Sequence, residues 1–147
     1  ELFKQFSEKH ASQLPFSLHF TWWNEVVLED WDVAVLSNGE EVFGIMPYFI
    51  RKKGPWNFIS NAHFTPYCGP FLIYPEGQKT TTKIAFEHRA HRDLIEQLPS
   101  FSAYSQNFYL GFSNALAFQS NQIENQALGL DFHFGPFNQI QNCWIRK

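Results

Sequence analysis

Cysteine is scarce in this chain, occurring only as Cys68 and Cys143, and Met46 is the one methionine. Two cysteines this far apart have no metal-ligand spacing, and a disulfide-stapled secreted domain needs more of them. They read as free thiols of a reducing compartment, which places the protein in the cytoplasm, and they pair only if the fold brings them together. Basic residues are also few, 11 Lys and Arg against 14 Asp and Glu, for a net charge of -3. DNA binding rests on a basic face, so this balance argues against DNA as a partner. No apolar run reaches the ~18 residues of a membrane span, and no signal-peptide pattern opens the chain. Repeats, low-complexity tracts and linkers are missing too. The 147 residues therefore read as one domain, 1–147, large enough to bury roughly two-thirds of its unfolded surface.

What the chain does have is aromatic residues. Phenylalanine leads with 17, and five tryptophans join it, at 22, 23, 31, 56 and 144. Rings of this size bury enough area each to build a core. The chain opens at Glu1 and stops inside the strand-like "CWIRK". Both ends read as cut, so a longer polypeptide is expected.

Periodicity supplies the elements. "ELFKQFSEKHA" places Leu2, Phe3, Phe6 and His10 near one helical face. After Pro15, "FTWWNEVVLED" predicts a second short helix, with Thr21 as N-cap and Trp22/Val26 and Trp23/Val27 at i,i+4 spacing. "WDVAVLS" and "EVFGIMPYFIRKKG" flank Asn38-Gly39, a strong hairpin signal. Pro47 predicts a bulge or an edge position in the second strand. "WNFIS" is a third strand and "PFLIYP" resumes extended structure. "TTTKIAFEHRAHRDLIEQLPS" is the longest helical pattern, opened by a threonine and closed by Pro99. Its apolar stripe is Phe86, Ala90, Leu94 and Leu98, widened by Ile84, His91 and Ile95. "FSAYSQNFYLGF" alternates like a strand, "NALAFQSNQIENQALG" reads as a helix ending at Gly129, and "LDFHFG" and "QIQNCWIRK" form a last strand pair. The prediction is an α+β fold with a mostly antiparallel central sheet flanked by helices.

Few residues carry chemistry. Glu87, His88 and His91 are the nearest thing to a metal cluster, but zinc needs further ligands, and a solvated helix face accounts for the same letters. His63 and Cys68 form a nucleophile pair only if the imidazole sits against the thiol; burial of the cysteine is the simpler reading. Arg51, Lys52 and Lys53 are the basic cluster, either a solubilising tip or an attractor for an anionic substrate or a nucleic-acid phosphate. "QALGLD" starts a phosphate-cradle pattern with Gln126 and Gly129. Asp131 then repels pyrophosphate where a small residue is needed, and strand follows instead of helix, so it is no cofactor site.

The order "FTWWNEVV", "WDVAVLSNGEEVFGIMPYFIRKKG", "FTPYCGPFL" and "LIEQLPSFS" resembles the first lobe of FemAB-like acyltransferases, the two-lobed branch of the GNAT superfamily. Phe64-Thr65-Pro66-Tyr67-Cys68-Gly69-Pro70 is similar to a loop of that family, with Pro66 following the threonine. "GPFNQIQNCWIRK" is similar to the strand closing its first lobe. The resemblance implies a GNAT-like lobe that transfers an acyl or aminoacyl group to an amine, such as a small molecule or a peptidoglycan precursor. The donor implied is acyl-CoA or aminoacyl-tRNA, and its site is not found in this chain. A second GNAT-like lobe is the implied partner, without which the active site is incomplete. On this resemblance the "HFTPYCGP" loop walls a cleft, Tyr67 and His63 contact the acceptor, Trp22 and Trp23 pack beneath, and Cys68 is a bystander. Arg51 joins these as a substrate-binding candidate. Two other functions compete: an aromatic-rich carbohydrate-binding module that is not an enzyme, and a small metal- or thiol-dependent enzyme.

Overall fold

In a computed structural model, the structure describes residues 1–28, 30–39, 41–109, 130–134 and 140–145, the last two stretches as backbone only. Helices α1 (Leu2–Lys9) and α2 (Phe20–Trp22) precede strands β1 (Trp31–Asn38), β2 (Glu41–Lys53), β3 (Trp56–Ser60) and β4 (Phe71–Leu72). Helix α3 (Thr80–Glu96), β5 (Ala103–Ser105), β6 (Leu130–Phe134) and β7 (Ile140–Ile145) follow. The five-stranded sheet has the order β1-β2-β3-β5, with β4 also pairing to β2. Among the described residues every ladder is antiparallel except β3–β5, which is parallel. A parallel pair needs a long crossover, and α3 supplies it. The α+β architecture with a mostly antiparallel sheet flanked by helices is therefore present.

Helices cover both faces. On one, α3 lays Ala90, Leu94 and Ile95 against Ala34, Met46, Tyr48 and Ile59. On the other, Phe3, Phe6, Leu18 and Trp23 meet Val42 and Ile45, with Trp31, Val33 and Phe49 packed alongside. Edge-to-face rings join α1 to the sheet, Phe3 on Trp31 at 6.0 Å and Phe6 on Phe71 at 6.3 Å.

Several local expectations change. His19, not Thr21, is the N-cap of α2, and it makes no side-chain cap bond. The exposed first amide of α2 is met from outside, by Ser7 Oγ of α1, which accepts from Phe20 N at 3.0 Å. The chain then loosens into a π turn over Trp23–Val27, where Leu28 N donates to Trp23 O at 3.1 Å. Pro47 is neither bulged nor at an edge: it pairs with Val33 inside the central strand, and the irregularity falls between Leu36 and Ser37. The reason is a gap on its other side. There β4 pairs with Gly44 and Ile45 and β3 begins at Phe49, so no ladder needs the N–H that proline lacks. Gln106 fills this gap, its Nε2 donating to Pro47 O at 3.5 Å.

In α3 the buried stripe is Glu87, Ala90, His91, Leu94 and Ile95, while Ile84 is exposed. The N-cap is Lys79, and the helix ends at Glu96, short of Pro99. Gln97 just beyond it pairs with the sheet edge, accepting from Val35 N at 3.0 Å and donating to Val35 O at 3.1 Å. One amide side chain thus occupies an edge strand that would otherwise be open to pairing. The final strand pair forms as read, β6 against β7. The helix expected to end at Gly129, with Gln126, lies outside the described residues, as do the side chains of Cys143 and Trp144. Among the described residues no helix is long and apolar enough to cross a membrane.

Candidate functional site

The parallel strands β3 and β5 end at Ser60 and Ser105, register partners. Ligands of open sheets collect beyond the carboxyl ends of parallel strands, because the connections there leave a crevice. Here the next residues are Asn61 and Gln106, and Asn61 organises the region. Its Oδ1 accepts from Asn107 N at 2.9 Å, and its Nδ2 donates to Thr65 O and Pro66 O, both at 3.0 Å. Cys68 N adds a bond to Asn107 O at 2.7 Å. The 61–70 bend is thus fixed to the strand ends by its own amides.

A second tie comes from α2. Trp22 Nε1 donates to Thr65 Oγ1 at 2.9 Å, and that hydroxyl donates to His63 O at 3.2 Å. Thr65 is buried, which leaves the preceding pair, His63 and Phe64, facing water. Phe64 is 84% exposed at φ 59°. A bulky residue in the left-handed region is strained, and such strain gathers at functional loops. At the loop's far end Gly69 has φ +98°, and a Cβ there would strike the Phe108 ring.

His63 leans on Phe49, edge to face at 5.8 Å. Phe49 begins a row on β2 that continues, by strand alternation, through Arg51 and Lys53. Phe58 is the register partner of Arg51 and of Ala103, and Ser60 the partner of Phe49 and of Ser105. Together Arg51, Lys53, Phe58, Ser60, Ala103 and Ser105 line a groove of about 340 Å³. It lies on the same sheet face as α1 and α2, past the strand positions they cover.

The predicted residues separate into those at this site and those away from it. Trp22, His63 and Arg51 lie along the bend and groove, and Tyr67 is half-buried within the bend. Trp23 is 0% exposed and donates through Nε1 to Ser17 O at 2.8 Å, so it supports α2 from beneath and does not reach solvent. Cys68 is a free, buried thiol whose pKa burial pushes up to about 12. It stays protonated at neutral pH and is no nucleophile. The basic cluster divides by alternation, with Arg51 and Lys53 on the groove face and Lys52 on the other.

The solvated-face reading of Glu87, His88 and His91 needs correcting. Glu87 and His91 are 3% and 1% exposed, turned into the sheet, and Tyr74 Oη donates to Glu87 Oε1 at 2.8 Å. Burial pulls the His91 pKa down to about 4, with Glu87 opposing the shift. No cluster of His, Cys, Asp and Glu fit to hold a metal occurs among the described residues.

Sequence reading missed Asn61, Phe58, Ser60 and Ser105. Alternation along "WNFIS" was enough to put Phe58 and Ser60 on the Arg51 face. Nothing local shows that β5 pairs parallel to β3, so Ser105 needed the fold. No protein-family model matches the chain, and no curated protein matches it either.

Proposed function

We propose that this chain forms the acceptor-side lobe of a FemAB-like N-acyltransferase, which moves an acyl or aminoacyl group onto an amine. The observation that carries this reading is the bend at residues 61–70. It is rigidly tied by Asn61 and Trp22, yet it presents His63 and the strained Phe64 to solvent at the end of a parallel strand pair. The motif order of the family supports it, as does the burial of Trp23, since a sugar-binding module needs its rings outside.

Chemically, the amine must be held against the donor's carbonyl carbon; it attacks as a neutral nucleophile and expels the thiol or the tRNA hydroxyl. Holding the reactants in place contributes much of such a rate. A bend fixed by its own hydrogen bonds loses little freedom when an acceptor docks. In this reading His63 and Tyr67 contact the acceptor and Trp22 fixes the bend through Thr65. The donor, acyl-CoA or aminoacyl-tRNA, lies chiefly on a second lobe.

The test uses the polypeptide encoded by the whole reading frame. It is mixed with amine-bearing peptides and either acetyl-CoA or charged tRNA, and the acceptor's mass is followed. Transfer is expected with one donor, and His63→Ala should raise KM for the acceptor more than it lowers kcat. No transfer from either donor overturns the reading. Trp56, 52% exposed, favours the carbohydrate module as the second reading, and quenching of its fluorescence by soluble oligosaccharides would establish that instead.

A further inference from the structure

We infer that the face of β2, β3 and β5 left uncovered among the described residues binds a mononucleotide, its phosphates held by Arg51 and Lys53 and its base stacked on Phe58 and Trp56. The cross-strand pairs on this face are Arg51 with Phe58 and Lys53 with Trp56. Each cation therefore stands beside a ring. Trp56 is 52% exposed beside Lys53, its cross-strand partner, and Phe58 is half-buried in the groove lining.

Two like charges on neighbouring positions of one strand face repel each other. Among the described residues, the ion pairs are Lys9–Glu41 and Arg92–Asp93, and neither relieves Arg51 or Lys53. A dianion laid between them removes that repulsion, and a guanidinium fork matches phosphate oxygens well. Ring faces stack on any base and are sequence-tolerant. Ser60 and Ser105 add hydroxyls at the opposite end of the groove, where a substituent on the terminal phosphate extends toward the bend.

Size and charge select one nucleotide over a polymer. The groove, about 340 Å³, lies near the lower end of the range for small-molecule pockets. A polynucleotide needs a basic track across the surface, and the chain has a net charge of -3. This assignment stands on the groove alone and does not depend on acyl transfer.

Calorimetric titration tests it, with ADP, UDP, adenosine, inorganic pyrophosphate and a single-stranded oligonucleotide as probes. ADP or UDP should bind more tightly than either adenosine or pyrophosphate, and more weakly as salt rises. Arg51→Gln and Lys53→Gln should each weaken binding about tenfold, and Trp56→Ala about fivefold. All three residues are exposed, so thermal melting should be unchanged and serves as the folding control. The inference is overturned if no nucleotide binds at millimolar concentration, or if these substitutions leave the affinity unchanged. Pyrophosphate matching ADP would remove the base contact, and an oligonucleotide binding more tightly than ADP would replace the mononucleotide. None of these outcomes bears on transfer to an amine, which is read from acceptor mass.

Discussion

On the α3 face of the sheet, Ala34, Met46 and Ile59 meet Ala90, Leu94 and Ile95, whereas on the α1/α2 face the cover stops partway along β2 among the described residues. Tyr48, Phe101, Tyr104 and Phe108 complete the α3 layer. The opposite face is built from rings, Phe3, Phe6, Trp23, Trp31 and Phe49, which fill the space beneath α1 and the short α2. Past Phe49 the same row carries Arg51 and Lys53, whose charge keeps any apolar helix away. Among the described residues, that second face leaves its final strand positions uncovered. A site thus arises where apolar packing ends, with the sheet supplying rigidity from behind.

Substitutions can break or sharpen this contrast. The largest effect is expected from the aromatic side: Trp23→Ala should cost ~4 kcal/mol in urea unfolding, because the side chain is 0% exposed and its indole N–H is bonded. Leu94→Ala, equally buried under α3, should cost ~3 kcal/mol by the same measurement. If Leu94→Ala proved much the costlier, the α3 layer would be the main source of stability.

The α3 face also carries a pH dependence, through His91. The folded pKa of His91 lies at about 4, below its ordinary 6.5. Between those values the unfolded chain binds more protons, so stability is complete above about pH 6.5 and falls as pH drops toward about 4. The loss is on the order of 3 kcal/mol, and chemical melts of His91→Gln across that window should show a flatter profile. A wild-type curve as flat as the variant's would show that His91 titrates as it does in water.

Smaller effects belong to the bend. Trp22→Phe keeps the ring but loses the bond to Thr65, and should cost ~1 kcal/mol, with faster amide exchange confined to residues 61–70. Phe64→Gly should leave stability unchanged or raise it by ~1 kcal/mol, since glycine tolerates φ 59° and little packing is lost at 84% exposure. A destabilised Phe64→Gly would mean that the ring supports the fold, not a surface feature.

The hairpin around Asn38-Gly39, the strands at "WNFIS" and "LDFHFG" and the long helix at 80–96 were legible because each follows from a local rule, turn chemistry or periodicity. Arg51 and His63 were legible as candidates for a similar reason: a basic cluster at a strand end and a Pro/Gly-rich loop stand out in one dimension. Glu87 was misread as solvated because its letter is polar, whereas His91 already stood in the apolar stripe; only the packing of α3 shows that the sheet buries both. Pro47 was misplaced because the gap between β3 and β4 has no local signature.

The sequence by itself determined the first helix, the hairpin strands, the third strand and the long helix, since these depend on turn chemistry and spacing along the chain. Tertiary structure alone decided that β5 lies parallel to β3, that Asn61 ties their ends together, and that Ser105 completes the groove beside Arg51 and Lys53. Those facts join residues more than 40 positions apart, as in the bond from Asn61 to Asn107, and contacts at that distance are set by how the layers pack.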